Sequence, residues 1–445
     1  MRLQLCWSPN YFLGGKITMS ESTVRTSRNG LSLGGFALQR LGQQIWAAGM
    51  ANGSLYLGIN TKPHPERTKI EGYWVIPSAR NPKFLVPDAS ANLSARALSS
   101  YRGLRSGTAN AARLALGLLA CVGLPLSRDR LTIQLCAGTV NTSPVKILQK
   151  ELGLAEVYAA TGVRLGLNAK PTLHLFDGRG KPVGFAKLAW NKPSTTLVEN
   201  EIRVLGELAG GSSILRVPGI LSQGTIHGRK YLVTEPLPSS VRGLTVKDPA
   251  PTPEELYAIA PITGRSKLSD LDFYRGLHAQ LSALIAGDRG STLCSAVQLL
   301  TSRISSLDHE LPVVARWHGD LVPWNCARDG AGTLWCWDLE TCDDSPAAGL
   351  DILHWNFNVQ RRRDAKGAVL DFEHAINASR LHLRSLGLDD AAVSLASAVY
   401  VLKLVERAWT LARAGSGWDR SWISERELRE LVYAAGDRLA VLIGS

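Results

Sequence analysis

The segment Trp317-His318-Gly319-Asp320-Leu321-Val322-Pro323-Trp324-Asn325-Cys326 sets a carboxylate and a carboxamide five residues apart, directly after a His-Gly pair. Thirteen residues beyond Asn325, a second carboxylate, Asp338, closes the apolar run Thr333 to Trp337. A carboxylate held beside a hydroxyl can take its proton, which is general-base chemistry. A carboxamide oxygen and a second carboxylate are hard donors. Mg²⁺ takes one or two such protein oxygens and leaves its other positions to phosphates and water. Two separate blocks at this interval are a more specific signal than an acidic turn in a helical protein.

The two blocks resemble the catalytic loop and the metal-binding aspartate of the protein-kinase-like superfamily. His-Gly-Asp in place of His-Arg-Asp resembles its aminoglycoside phosphotransferase and choline-kinase branch. The resemblance covers residues 155–440, and residues 1–150 have no counterpart in this motif set. It implies an α+β, two-lobed fold with a small β-rich N-lobe and a larger, mainly helical C-lobe, preceded by a basic extension or small domain. It also implies an ATP- and Mg²⁺-dependent phosphotransferase whose acceptor is a hydroxyl of a small molecule: a sugar, an aminoglycoside or an amino alcohol. GTP is not excluded as donor. Charge in such a transfer spreads over the phosphoryl oxygens, so the protein mainly positions and neutralises. Under the resemblance Asp320 orients the acceptor and receives its proton, while Asn325 and Asp338 hold Mg²⁺. His318, and Asp351 in Gly349-Leu350-Asp351-Ile352-Leu353-His354, brace the loop. The alternative is a non-catalytic kinase-like protein that binds a nucleotide or partner, and retention of Lys187, Asp320, Asn325 and Asp338 together disfavours it.

The elements that must position these groups begin near residue 150. Pro171 to Phe176 alternates like a strand, Asp177 to Lys181 is a turn, and Val183 to Leu188 is a second strand, so the three predict a hairpin. Asn191 to Thr196 reads as a helix start, after which Leu197, Glu201, Val204, Leu205 and Leu208 recur at helical spacing. By the resemblance, Lys187 pairs the α- and β-phosphates and Glu201 holds that lysine. Glu199 competes for the role but lies about 200° around the helix from Glu201. Glu201 is preferred because it sits one turn from Leu197 and Leu205. The strand Lys230 to Thr234 runs into Glu235-Pro236-Leu237, the expected hinge, where the backbone of Glu235 and Leu237 would meet adenine. Two departures stand out. No glycine-rich GxGxxG precedes Lys187, only Gly162-Val163-Arg164-Leu165-Gly166-Leu167-Asn168, and Asp338 is followed by Leu-Glu rather than Phe-Gly. Glu340 is either a secondary metal contact or structural.

The chain has 445 residues, 45% hydrophobic and 20% charged, which is globular and large enough for two or three domains. Expected divisions are a loop-rich leader over 1–65, whose first 18 residues read as an upstream extension, and a basic α+β domain or cap over 66–150. The N-lobe would follow over 151–238 and the C-lobe over 239–445. Strands are expected near 72–77 and 82–87, and one or two helices over 91–124. In the C-lobe, helices are expected at 271–286, 293–306, 368–386, 390–414 and 424–442. The most apolar run, Leu114 to Leu126, has 13 residues where a membrane span needs about 20. It reads as a buried or amphipathic helix. Seven scattered cysteines without a CxxC pair argue against a disulfide framework or zinc and fit a reducing, cytoplasmic setting.

Residues 1–150 carry 18 Lys/Arg against 5 Asp/Glu, and the remainder 32 against 33, so all the net charge of +12 sits in the front third. Such a region can meet an anionic partner. With no helix-turn-helix, zinc-finger or RNA-recognition signature beside it, nucleic acid is disfavoured. Residues 301–350 hold eight acids against three bases, and Asp343 and Asp344 are candidates to bind a cationic acceptor. Trp317, Trp324, Trp335 and Trp337 in the same stretch, with Trp355 just beyond it, make a neutral sugar at least as good a candidate.

Overall fold

The computed structural model describes residues 33–62, 64–100, 104, 107–163, 170–212, 214–288, 291–414, 418 and 422–443. The chain is α+β. Its described residues fall into two compact units, the first spanning 33–209 and 218–242, the second 210–217 and 243–443.

The first unit opens with α1 (Leu33–Ile45), α2 (Ala47–Ala51), β1 (Leu55–Ile59), β2 (Arg67–Ile76), β3 (Phe84–Pro87), α3 (Ala91–Ser99) and α4 (Gly107–Cys121). It continues with β4 (Arg130–Cys136), α5 (Pro144–Glu151), β5 (Tyr158–Gly162), β6 (Thr172–Phe176), β7 (Pro182–Leu188) and α6 (Lys192–Glu207). After β8 (Leu215–Arg216), which belongs to the second unit, come β9 (Ile220–Ile226) and β10 (Arg229–Thr234). Nine strands form one sheet in the order β1-β4-β2-β3-β5-β6-β7-β10-β9. Successive side chains of a strand point to opposite faces. Accordingly Tyr73, Val75, Leu85 and Leu131 join α1 and α5 in one core, while Trp74, Ile76, Phe84 and Val86 join α3 and α4 in another.

The structure differs from the sequence reading in two places. The segment 33–65, expected as loops with short strands, contains two helices besides a strand. Gly34, Gly35 and Gly42 weaken the helical pattern, yet Leu38, Leu41 and Ile45 recur at helical spacing and are buried. Gly34 permits a close approach, since a Cβ there would lie 2.0 Å from the Ala79 carbonyl oxygen. The break anticipated at residue 150 falls inside one sheet, because β3 pairs with β5. The predicted hairpin is β6–β7, with Thr172 opposite Lys187. The stretch Arg164 to Asn168 and the first 18 residues lie outside the described residues.

The second unit is entered within β11 (Arg242–Gly243) and continues with α7 (Pro253–Ile259), β12 (Ile262–Lys267), α8 (Asp272–Ala286), α9 (Thr292–Ser305), β13 (Glu310–Val314) and β14 (Arg316–Trp317). Then follow β15 (Cys326–Arg328), β16 (Leu334–Cys336), β17 (Asp343–Asp344), α10 (Leu350–Asp364), α11 (Ala368–Ser385), α12 (Asp390–Ala414) and α13 (Glu425–Ile443). The helix α12 is the centre of this unit, buried almost all round from Ala392 to Val405. The helix α10 is absent from the sequence reading because its buried face includes Asp351 and His354, which blunts the apolar period. Its last turn carries Arg361, Arg362 and Arg363, the favourable sign for a helix C-terminus. No helix among the described residues is long and apolar enough to cross a membrane.

Candidate active site

In the first unit, β7 and α6 position a lysine and a glutamate. The side chain of Asn191 accepts from the Ser194 N–H and the Ser194 hydroxyl accepts from the Asn191 N–H, a capping box that fixes the start of α6. From that start, Val198, Glu201, Val204 and Leu205 turn inward. Lys187 Nζ donates to both Glu201 carboxylate oxygens at 2.6 Å. Glu199 is exposed and lies 3.7 Å from Lys230 instead. Of the two candidate acids, the buried one meets the lysine. At the end of β10 the Glu235 N–H donates to the Gly219 carbonyl at 2.8 Å, and its carboxylate accepts from the Gly219 N–H. Leu237 is buried.

In the second unit, the segment His318 to Asn325 is tied to its neighbours by hydrogen bonds. The Asp351 carboxylate, at the first turn of α10, accepts the His318 N–H at 2.9 and 3.1 Å. His318 Nδ1 accepts from the Asp320 N–H at 3.3 Å, so Nε2 carries the ring proton and donates to the Trp337 carbonyl at 3.0 Å. That bond connects the loop to the peptide preceding Asp338. Asp338 has φ 65°, a left-handed conformation more accessible to Asp than to most residues. Gly319 is also left-handed, at φ 78°, and a Cβ there would stand 2.2 Å from the Thr341 carbonyl oxygen. No other residue type fits without moving the chain.

Asp320 and Asn325 meet. Asn325 Nδ2 donates to the Asp320 carbonyl and to Asp320 Oδ2, both at 2.9 Å. With Nδ2 committed, Oδ1 of Asn325 is a fully buried acceptor with no hydrogen-bond partner. Buried acceptors of this kind are costly unless something is to be bound there. An orphaned carboxamide oxygen and the buried carboxylate of Asp338, on segments joined through His318 and Trp337, fit a hard divalent cation.

Three side chains around Asp320 were not singled out from sequence. His354, one turn along α10 from Asp351, donates from Nε2 to Asp320 Oδ1 at 3.3 Å, and its Nδ1 accepts from the Tyr400 hydroxyl at 3.0 Å. Arg407 on α12 donates to the Gly319 carbonyl at 2.9 Å and stands 3.6 Å from Asp320 Oδ1. Burial raises the Asp320 carboxyl above the ordinary aspartate value, against the lowering pull of His354 and His318, and the Asp338 charge pushes the same way as burial. Burial also holds the Tyr400 phenol well above its usual value, so it stays a donor. Arg407 is drawn down by burial to about 10 and remains a cation at neutral pH. The i, i+3 spacing of Asp351 and His354 was a signal available in the sequence. Tyr400 and Arg407 had none.

The Asp343 carboxylate accepts from Lys403 Nζ and from Trp317 Nε1, both at 3.0 Å, and the same lysine lies 3.3 Å from Glu406. Cys326 and Cys336 face each other across β15 and β16, and burial pushes both thiols up, as expected of packing rather than reactive cysteines. Cys121, Cys136, Cys294, Cys326 and Cys336 are free thiols.

No protein-family model and no curated protein matches the sequence. Among solved structures, the chain is similar to the choline kinase LicA from Streptococcus pneumoniae, at 16% identity and a TM-score of 0.41, covering 66% of this chain and 98% of that one. It is also similar to an ethanolamine kinase of Plasmodium vivax, at 12% identity and a TM-score of 0.38, covering 64% and 82%. A third is the macrolide 2′-phosphotransferase MphH from Brachybacterium faecium, at 15% identity and a TM-score of 0.34, covering 62% and 98%.

Proposed function

We propose that the chain is a phosphotransferase of kinase-like fold that uses ATP and Mg²⁺ to phosphorylate a hydroxyl of a small molecule. The observation that carries the reading is the Asp320–Asn325 pair, with its single uncommitted buried oxygen, braced through His318 onto the peptide before Asp338. Asp320 is the general base. Its carboxylate is held by Asn325, His354 and Arg407, so it can orient an acceptor hydroxyl and take the proton as the new O–P bond forms. Asn325 Oδ1 and the Asp338 carboxylate are the ligands for Mg²⁺, which when bound offsets the negative charge of the transferring phosphoryl group. Lys187, fixed by Glu201, is the cation for the α- and β-phosphates, and the backbone at Glu235 and Leu237 receives the base. Because the Asp343 carboxylate already accepts from Lys403 and Trp317, a neutral sugar suits the acceptor side at least as well as a polycation.

The test is a melting curve with and without Mg·ATP, run on the parent chain and on Asp338→Ala. At a hundred times its dissociation constant a ligand stabilises the fold by about 2.7 kcal/mol. A magnesium-dependent rise in Tm that disappears in Asp338→Ala is the expected result. No rise with ATP or GTP in the parent chain would overturn the proposal.

A further inference from the structure

The helix α4 carries an outward face of unusual composition. Ala109, Arg113 and Ala120 are buried, with the Arg113 guanidinium 4.6 Å above the Phe84 ring. On the other side Leu114, Leu118, Leu119, Val122 and Leu124 are exposed, Leu118 to 61% and Val122 to 71%. No charged residue occurs between Arg113 and Arg128. Scattered exposed leucines are normal, but five large ones on one uncharged helix face and the turn after it mark a surface built to be covered. The run that the sequence suggested was buried or amphipathic is therefore apolar on both sides, and one side is left uncovered by the described residues.

The charges around that face say what covers it. Arg96 on α3 is exposed, and its side chain packs beside Gly180, so the turn bearing the exposed Arg179 and Lys181 lies next to it. Arg128, just past α4, is exposed as well. Of the two acids at that turn, Asp177 is engaged by its own backbone, accepting the Arg179 and Lys181 N–H groups at 2.9 and 2.8 Å, and the Glu156 carboxylate packs over Gly178 beside the two basic side chains. Residues 33–150 as a whole carry 14 Lys/Arg against 4 Asp/Glu. A second copy of the chain would bring this basic rim against itself. Residues 1–32, with four basic side chains against one acidic, have the wrong sign too. An anionic lipid surface complements both features, since its acyl boundary takes the apolar face and its headgroups take the basic rim.

We propose that α4 docks the protein onto an anionic membrane surface, lying in the interface with Leu114, Leu118 and Val122 inserted and Arg96, Arg128, Arg179 and Lys181 among the headgroups. The experiment is co-flotation of the full chain with vesicles of phosphatidylglycerol and phosphatidylcholine, beside vesicles of phosphatidylcholine alone. It is repeated with the double variant L118S/V122S and with R96E, and paired with light scattering in the absence of lipid. The expected result is binding to the anionic vesicles at least about tenfold tighter than to the neutral ones, and a loss of about tenfold or more in L118S/V122S. In R96E the preference for anionic vesicles shrinks. Because every substituted side chain is exposed, the variants should melt and bind Mg·ATP as the parent does. Equal binding to both vesicle types, or none, overturns the proposal. So does a dimer in light scattering that L118S/V122S dissolves while vesicle binding is absent, which would assign the face to a second copy.

Discussion

Replacing Lys187 by Met leaves a buried carboxylate without the cation that both of its oxygens contact at 2.6 Å. The two side chains are 12% and 3% exposed, so water can replace the lost partner only poorly. Removing one member of a buried pair costs about 3–5 kcal/mol, far more than the median for a surface pair. At roughly 2–4 °C per kcal/mol for a folding unit of this size, Lys187→Met should melt about 6–20 °C below the parent chain. The companion Lys187→Met/Glu201→Leu removes the stranded charge as well, and the replacement of both partners by apolar groups is often neutral. The double variant should therefore recover most of the lost stability and none of the Mg·ATP affinity. Melting is read by circular dichroism at 222 nm, affinity by titration calorimetry. A single variant that melts within about 2 °C of the parent would refute the burial argument. A double variant that binds Mg·ATP as the parent does would refute the role given to Lys187.

Asp320→Asn should lower ATP turnover by about a hundredfold or more while leaving Mg·ATP affinity nearly unchanged, as a steady-state assay beside calorimetry would show. Burial raises the folded pKa of Asp320, so between the ordinary aspartate value and the raised one the native state binds more protons than the unfolded state, and stability falls as pH rises through that window. Asp320→Asn should accordingly melt no lower than the parent at pH 7, with any advantage shrinking as the pH is lowered through the window; a lower Tm at pH 7 contradicts this. Gly319→Ala meets both a left-handed backbone and the Thr341 carbonyl 2.2 Å away, and should lose more than the about 1–2 kcal/mol that the conformation alone costs, read as a shift in urea midpoint. Asn325→Ala removes the orphaned oxygen, and the Mg²⁺ concentration giving half of the ATP-induced stabilisation should rise about tenfold, the scale on which metal-site partners act.

What could be read from the sequence follows from how local each cause is. The β6–β7 hairpin and α6 were legible because a turn, a capping box and an apolar period each sit within a few residues of what they specify. The loop from His318 to Asn325 was legible because its chemistry is contiguous, and Glu201 was separable from Glu199 because residues two apart on a helix point about 200° away from each other. The order of the sheet was not legible. The apolar runs near 72–77 and 82–87 read as the strands that became β2 and β3, but nothing local says that β4 lies between β1 and β2, or that β5 lies beside β3. Side chains brought to the site by α12 were hidden for the same reason. Arg407 reaches Gly319 across 88 residues of sequence and Tyr400 reaches His354 across 46, from a helix so thoroughly buried that its pattern singles out no face. Charge summed over a window has the same defect. The stretch 301–350 is acidic by count, yet Lys403, far outside it, holds Asp343 at 3.0 Å. Net charge along a chain therefore describes a surface only where the counterions are neighbours in sequence.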